Sequence, residues 1–318
     1  MGNVIRDQGL EGFIKDMKEA VESIYKGTRE VRVKADWKNN GKLKRALIIV
    51  EEGRTVFKAF YLEDYFCRYL EGEELERLAM EIVEENERDK PEEGITECLK
   101  DFSWVKERLV CAVANADWNQ ERMKGVPHIR VMDLAVVFQV DLKDRDGDPM
   151  KVLVHYEHME FWGAGMEEVA ALAIRNTRER YPARRESLLK IMMGMEEKDF
   201  LEEGQALRGE VCCLNTTRGC YGAIAMLYPG VLKEIAEEIK SDLVILPSNI
   251  HECIAIPYDG GTDIRRLEGT VQAINRTMKD QGEVLSDHVY LYEREGDTLY
   301  LVGDGGEREK GFFLEGTL

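Results

Sequence analysis

Apolar positions in the first part of the chain switch between two periods. In residues 10–26, LEGFIKDMKEAVESIYK, Leu10, Phe13, Met17, Ala20, Val21 and Ile24 fall on one stripe of a 3.6-residue helix. VRVKADW and KLKRALIIV then flank Asn39-Asn40-Gly41, and Asn-Gly between alternating segments predicts a hairpin. A third strand, TVFKAFY, is expected to complete a meander after the Glu52-Gly53 turn, with helices over LEDYFCRYLEG and EELERLAMEIVEEN. Pro91 and Gly94 interrupt the pattern, and DFSWVKERLVCAVANA reads as a further helix.

Lys124-Gly125-Val126-Pro127 marks the expected seam between an N-terminal lobe, 1–123, and a C-terminal lobe, 124–318. Beyond it, RVMDLAVVFQVDL and MKVLVHYEH read as strands around KDRDGDP, followed by helices EEVAALAIRNTRER and ARRESLLKIMMGM. VCCLN and CYGAIAMLY read as a hairpin across TTRG, and Pro229 stands at the start of a helix in GVLKEIAEEIK. LVILP and ECIAIP form the next expected pair, DIRRLEGTVQAINRTMKDQ a helix, and HVYLYER with TLYLVG a last hairpin. Antiparallel strand pairs alternating with helices, instead of single strands with crossover helices, predict an α+β fold of two intimate lobes.

A chain of 318 residues is long enough to bury roughly 75% of its unfolded surface. It has no run of about 20 apolar residues and no apolar stretch near Met1, so a soluble, cytoplasmic protein is expected. The odd number of cysteines, seven, without a Cys-x-x-Cys pair, points to a reducing compartment and away from structural zinc. No cofactor is implied.

The formal charge of −18 argues against direct nucleic-acid binding. Half of it lies in residues 71–97, where twelve acidic and three basic residues give −9, while Leu75, Leu78, Ala79, Ile82 and Val83 keep helical spacing. That is a helix with one apolar stripe and an acidic outer face: a solvated surface, or a docking face for a basic protein partner. Arg175, Arg178, Arg180, Arg184, Arg185 and Lys190 form the basic counterpart. They are expected either to face the acidic helix or to hold an anion or nucleotide phosphate.

LPSNIHECIAIP, residues 246–257, carries the best reactive candidates. On a strand starting near His251, the imidazole and the Cys253 thiol share a face while Glu252 points the other way. An imidazole beside a thiol lowers its pKa and makes a nucleophile; the alternative is a buried cysteine with His251 and Glu252 capping the strand. Asp144-Arg145-Asp146-Gly147-Asp148 has calcium-loop spacing without the twelfth-position glutamate, and reads as a turn. His155 and His158 would chelate a metal on a helix but diverge on the strand expected there. GCYGAIAMLYPG matches neither a P-loop nor a dinucleotide fingerprint.

Taken together, NNG at 39–41, YLEDYF at 61–66, NADWN at 115–119, VPH and MDLAVVF within 126–138, GAIAMLYPGVL at 222–232, LPSNIHE at 246–252 and LSDHVYLY at 285–292 resemble a bacterial family of similar length, common in anaerobic gut Firmicutes, whose domain has no established reaction. The resemblance spans nearly the whole chain. It implies cytoplasmic residence and carriage on mobile elements, and it marks Asn115, Asn119, His128, Asp133, Asn215, His251 and Glu252. Asn249 and Cys213-Leu214-Asn215 depart from the family pattern.

With no complete catalytic set and a concentrated acidic helix, the leading expectation is a non-enzymatic protein that binds a macromolecular partner. The alternatives are a hydrolase or transferase using Cys253 or a carboxylate with His251 as base, and a small-anion or nucleotide sensor at the arginines.

Overall fold

A computed structural model describes residues 2–52, 57–88, 94–143, 149–188, 211–303 and 306–315. The fold is α+β, with three antiparallel sheets. The chain divides into two compact units: Met1–Asp101 with Lys143–Pro149, and Phe102–Leu142 with Met150–Leu318.

The first unit opens with α1 (Gly2–Ile24), followed by β1 (Glu30–Trp37) and β2 (Leu43–Val50), paired antiparallel from Glu30↔Val50 to Trp37↔Leu43. The hairpin stands where Asn-Gly indicated it. Asn40 and Gly41 take left-handed backbone, φ 61° and 68°, which asparagine and glycine tolerate. β3 is only Phe60–Tyr61, the end of the expected third strand; residues 53–56 lie outside the described residues. α2 (Leu62–Leu70), α3 (Leu75–Arg88) and α4 (Ile95–Lys100) complete the unit. Phe13, Met17 and Val21 of α1 meet Leu47 and Ile49 of β2 and Leu78, Ala79 and Ile82 of α3 in one core, the apolar stripes read from the sequence.

In the second unit the short α5 (Phe102–Val105) gives way to β4 (Leu109–Asn115), where a single long helix was expected. All seven residues of LVCAVAN are buried, and a continuous apolar run of that length suits a fully buried strand as well as a helix. α6 (Gln120–Met123), β5 (His128–Val131), β6 (Leu134–Lys143) and β7 (Pro149–Leu153) follow. β4 pairs with β6 from Leu109↔Val140 to Asn115↔Leu134, so the seam placed at 123/124 lies inside a sheet of this unit. Residues 144–148, the candidate calcium-loop turn, lie outside the described residues.

His155 caps α7 (Tyr156–Trp162) and does not continue a strand. The backbone N–H of His155 donates to Nδ1 of His158 at 3.1 Å, so these two close an N-terminal turn. α8 (Met166–Arg180) is tied to the outer edge of β4. Thr177 Oγ1 accepts the Cys111 N–H at 2.7 Å, and Asn176 Nδ2 donates to the carbonyls of Lys106 and Leu109 at 2.8 and 3.0 Å. ARRES, expected to begin a helix, is β8 (Ala183–Ser187), paired with β9 (Cys212–Thr216); residues 189–210 lie outside the described residues.

GAIAML, expected as a strand, is a buried 3-10 helix, Gly222–Leu227. Its segment is apolar on every side, so no period-2 face distinguishes it. α9 (Val231–Ile239), β10 (Asp242–Leu246), β11 (Cys253–Tyr258), α10 (Ile264–Thr277), β12 (Val289–Glu293), β13 (Thr298–Val302) and β14 (Arg308–Lys310) finish the chain. The larger sheet runs β14-β13-β12-β10-β11-β9-β8.

Candidate functional site

The candidates gather in several places in the second unit. In LPSNIHECIAIP the strand begins at Cys253, so His251 and Glu252 stand in the preceding turn. Asn249 Oδ1 builds that turn by accepting the backbone N–H groups of His251 at 2.6 Å and Glu252 at 3.1 Å. Nδ1 of His251 accepts the Tyr221 N–H at 3.0 Å, and Nε2 approaches Glu283 Oε1 at 3.4 Å. The imidazole therefore does not serve Cys253. The Cys253 sulfur is fully buried against the Ala223 carbonyl at 3.7 Å and Met226 Sδ at 3.5 Å, and burial pushes its thiol well above the usual range. Burial also pushes the Cys213 thiol up, helped by Glu252, which accepts its hydrogen bond at 3.1 Å. Neither sulfur is held as a thiolate.

Gly222 has a steric reason. A Cβ there would stand 2.6 Å from the His251 carbonyl oxygen and 2.7 Å from the Thr216 amide nitrogen. Asn215 lies on the same side, its Cβ 3.0 Å from that point, and its Oδ1 is buried without a partner among the described residues.

A second cluster joins the two sheets of this unit. Asp133, 4% exposed in the tight turn between β5 and β6, accepts hydrogen bonds from Ser286 Oγ at 2.6 Å and the Tyr290 hydroxyl at 2.8 Å. Burial raises its carboxyl pKa against these two bonds. Asn115 donates to the Leu285 carbonyl at 3.1 Å and accepts the N–H groups of Asp117 and Trp118, while Asn119 donates to the Asn115 carbonyl at 2.7 Å. His288 Nδ1 meets Glu268 Oε1 at 2.7 Å, and Asn275 reaches the Ser286 carbonyl at 2.9 Å. His128 stays outside this cluster, its Nδ1 on the Val126 carbonyl at 2.8 Å. Ser286, Glu268, His288 and Tyr290 were not singled out from the sequence, although LSDHVYLY contains three of them.

The arginines divide. Arg180 reaches Asp141 at 3.6 Å, Arg184 reaches Glu186 at 2.8 Å, and Arg185 reaches Glu238 at 3.2 Å, all within the second unit. Arg175 and Arg178 instead line a groove of about 910 Å³ with Lys106, Tyr228, Pro182 and Leu172. Glu168, Glu179 and Glu315 also line it. Spacings of three, four and seven along α8 put Glu168, Leu172, Arg175 and Glu179 on one wall.

Arg218, Asp141, Tyr181 and Lys151, a charged cluster near β9, were not singled out from the sequence. Arg218, with its side chain 5% exposed, donates from Nη2 to Asp141, while Nε and Nη1 are buried without a partner among the described residues. Tyr181 donates its hydroxyl to the other oxygen of Asp141. Lys151 Nζ sits 4.0 Å from the centre of the Tyr221 ring and 3.1 Å from Cys220 Sγ, and burial pushes its ammonium pKa down.

In the first unit, Arg68 draws Glu73 and Glu81 together at 2.8 and 2.7 Å, and Lys58 takes Glu85 at 2.7 Å. The carboxylates of Glu71, Glu74, Glu76 and Glu84 are exposed and make no hydrogen bond or ion pair among the described residues. Leu70 and Met80, 60% and 45% exposed, lie among them in sequence. Among the described residues no helix is long and apolar enough to cross a membrane, and no group of three or more His, Cys, Asp or Glu side chains is placed to hold a metal ion.

Fold and site define an α+β protein whose marked polar residues build turns, an inter-sheet network and charged recesses, with His251 and Cys253 engaged elsewhere. The chain belongs to the family of unknown function DUF5688, whose model matches residues 10–294. No curated protein and no solved structure matches the chain.

Proposed function

We propose that the protein is a binding protein that takes a small organic anion in the α8 groove. One observation carries this reading: Arg175, Arg178 and Lys106 line the groove, and their side chains make no ion pair among the described residues, whereas Arg180, Arg184 and Arg185 are paired. Unpaired guanidinium groups beside an aromatic ring and apolar side chains suit a ligand with an anionic end and a flat or apolar body. The glutamates along the same groove favour a ligand that also carries hydrogen-bond donors.

Adenosine monophosphate is the probe. It should raise the melting temperature saturably through binding to the native state, and Arg175→Glu with Arg178→Glu should abolish the effect while leaving the fold intact. A folded double variant that responds like the parent chain would overturn the reading.

A second reading rests on α3. Exposed, unpaired carboxylates beside exposed Leu70 and Met80 suit a basic amphipathic segment of a protein partner. Capture from a native extract at two salt concentrations tests it: the partner should be retained at low salt and lost at high salt or with Glu74→Lys and Glu84→Lys. Cytoplasmic residence accords with seven cysteines that are all free, four of them buried.

A further inference from the structure

Among the described residues Cys220 is the cysteine whose sulfur meets a side-chain amine. Lys151 Nζ donates to it at 3.1 Å across 69 positions of sequence, whereas the sulfurs of Cys213 and Cys253 meet a carboxylate, a carbonyl and a thioether. The contact is held from both sides. Nζ rests 4.0 Å from the centre of the Tyr221 ring, an attraction between cation and ring that steadies the end of a flexible side chain. Cys220 is carried on the turn after β9, where Gly219 and Tyr221, with φ 72° and 56°, take left-handed backbone on either side of it. The Tyr221 N–H is tied in turn to His251 at 3.0 Å. Cys220 and Lys151 are both partly exposed, unlike the four buried cysteines, so a solute as small as a peroxide reaches the sulfur. Burial pushes the Lys151 ammonium pKa down, and the charge of Arg218 adds to this, so more free amine is present than on an open surface.

We propose that Cys220 and Lys151 are a peroxide-dependent cross-link site, in which the sulfur and the nitrogen become joined by a covalent S–N bond. In the first step the sulfur attacks one oxygen of hydrogen peroxide. The O–O bond breaks, the sulfur is oxidised by two electrons to a sulfenic acid, and the other oxygen leaves as water with the thiol proton. In the second step the lone pair of the Lys151 amine attacks that sulfur. The S–O bond breaks, and the hydroxyl leaves as a second water with one amine proton. One thiol, one amine and one peroxide thus become a sulfenamide and two waters. Sulfenic acids condense in this way even with backbone nitrogens, whose lone pairs are delocalised into a carbonyl, and the amine of Lys151 has no such handicap. The bond would tie β7 to the turn after β9 and close the 69-position span between them.

Hydrogen peroxide on the native full chain, followed by alkylation, proteolysis without reductant and mass mapping, is the test. The peptide carrying Cys220 should appear joined to the peptide carrying Lys151, the pair lighter by two hydrogen atoms than the separate peptides, and dithiothreitol should release them. The treated protein should also unfold at higher urea concentration, because a closed loop constrains the unfolded chain, and dithiothreitol should cancel the shift. Cys220→Ser should show neither the joined peptides nor the shift. Lys151→Arg, which keeps a cation over the Tyr221 ring, should let Cys220 run on to the sulfinic and sulfonic acids at the same peroxide dose. A joined pair one oxygen heavier reports the same junction oxidised by a second peroxide, and the site stands. If Cys220 of the folded parent chain reaches the sulfinic acid or pairs with another cysteine while Lys151 stays unmodified, the proposal fails. It fails equally if Lys151→Arg and the parent chain give the same products.

Discussion

Tyr221 donates its backbone N–H to Nδ1 of His251 across 3.0 Å, so the proton of the neutral imidazole sits on Nε2, turned towards Glu283 at 3.4 Å. This single bond takes up the nitrogen that a general base would use, and it aims the ring away from Cys253. The turn explains the residues around it as structural parts: Asn249 folds it, Gly222 lets it come close, and Glu252 satisfies Cys213.

The close approach makes Gly222→Ala a sharp test. With 2.6 and 2.7 Å to backbone atoms, the new methyl group cannot be met by rotation of a side chain, so backbone must shift. A loss of about 1–3 kcal/mol is expected from overpacking, read as a lower urea midpoint at unchanged slope.

Thiol labelling should rank the cysteines by exposure. Cys67 is exposed, Cys98 and Cys220 are intermediate, and Cys111, Cys212, Cys213 and Cys253 are buried. The last four should stay unlabelled in the native protein and react only in denaturant. A Cys253 that reacts faster than Cys67 would restore the nucleophile reading.

Thr177→Val keeps the shape of the side chain but leaves the Cys111 N–H without its 2.7 Å acceptor. Leaving a buried donor unsatisfied costs about 1–3 kcal/mol, so the variant should unfold at lower denaturant concentration. Hydrogen exchange at Cys111 should quicken most if the loss is local to β4.

Asp133 gives a pH test whose sign is opposite to that of a salt-bridged carboxylate. Burial raises its folded pKa above the unfolded value, so the native state holds on to a proton that the unfolded chain releases. Stability contributed by this group is thus present at low pH and falls as pH rises from the ordinary aspartate value to the folded one. Asp133→Asn should flatten that part of the curve relative to the parent, and Tyr290→Phe should cost about 1 kcal/mol by removing a buried hydrogen bond. Denaturant midpoints over about pH 3 to 7 measure both; parallel curves for parent and Asp133→Asn would assign the slope to another group.

Much of the fold was legible because local signals agreed with burial. Asn40-Gly41 supplied the left-handed turn for β1 and β2, and the stripe through Phe13, Met17 and Val21 is the stripe that α1 buries. The misreadings came where the pattern carries no period. LVCAVAN is apolar throughout and fits either element; partners on β6 and α8, distant in sequence, make it a strand. GAIAML failed in the same way. ARRES looked helical by composition, yet pairing with β9 overrides propensity.

The candidate residues were legible one at a time, but not in their groupings. Asn119 bonds the Asn115 carbonyl, and Asn115 and Asp133 both bond the 285–290 stretch, Asn115 through the Leu285 carbonyl and Asp133 through Ser286 and Tyr290, while His251 and Glu252 meet Tyr221, Glu283 and Cys213 instead. Arg218 escaped notice because its meaning lies in what its nitrogens lack, and that depends on the fold around it.

Among the described residues the seven-stranded sheet has two outer strands, and each is short and charged. β14 is Arg-Glu-Lys with all three residues exposed, and β8 carries Arg184, Arg185 and Glu186. A neighbouring molecule trying to extend the sheet would find few free backbone groups in a row and would have to bury ions to reach them. The ends of this sheet are thereby made poor templates for strand addition, a protection against self-association written into two segments of three and five residues.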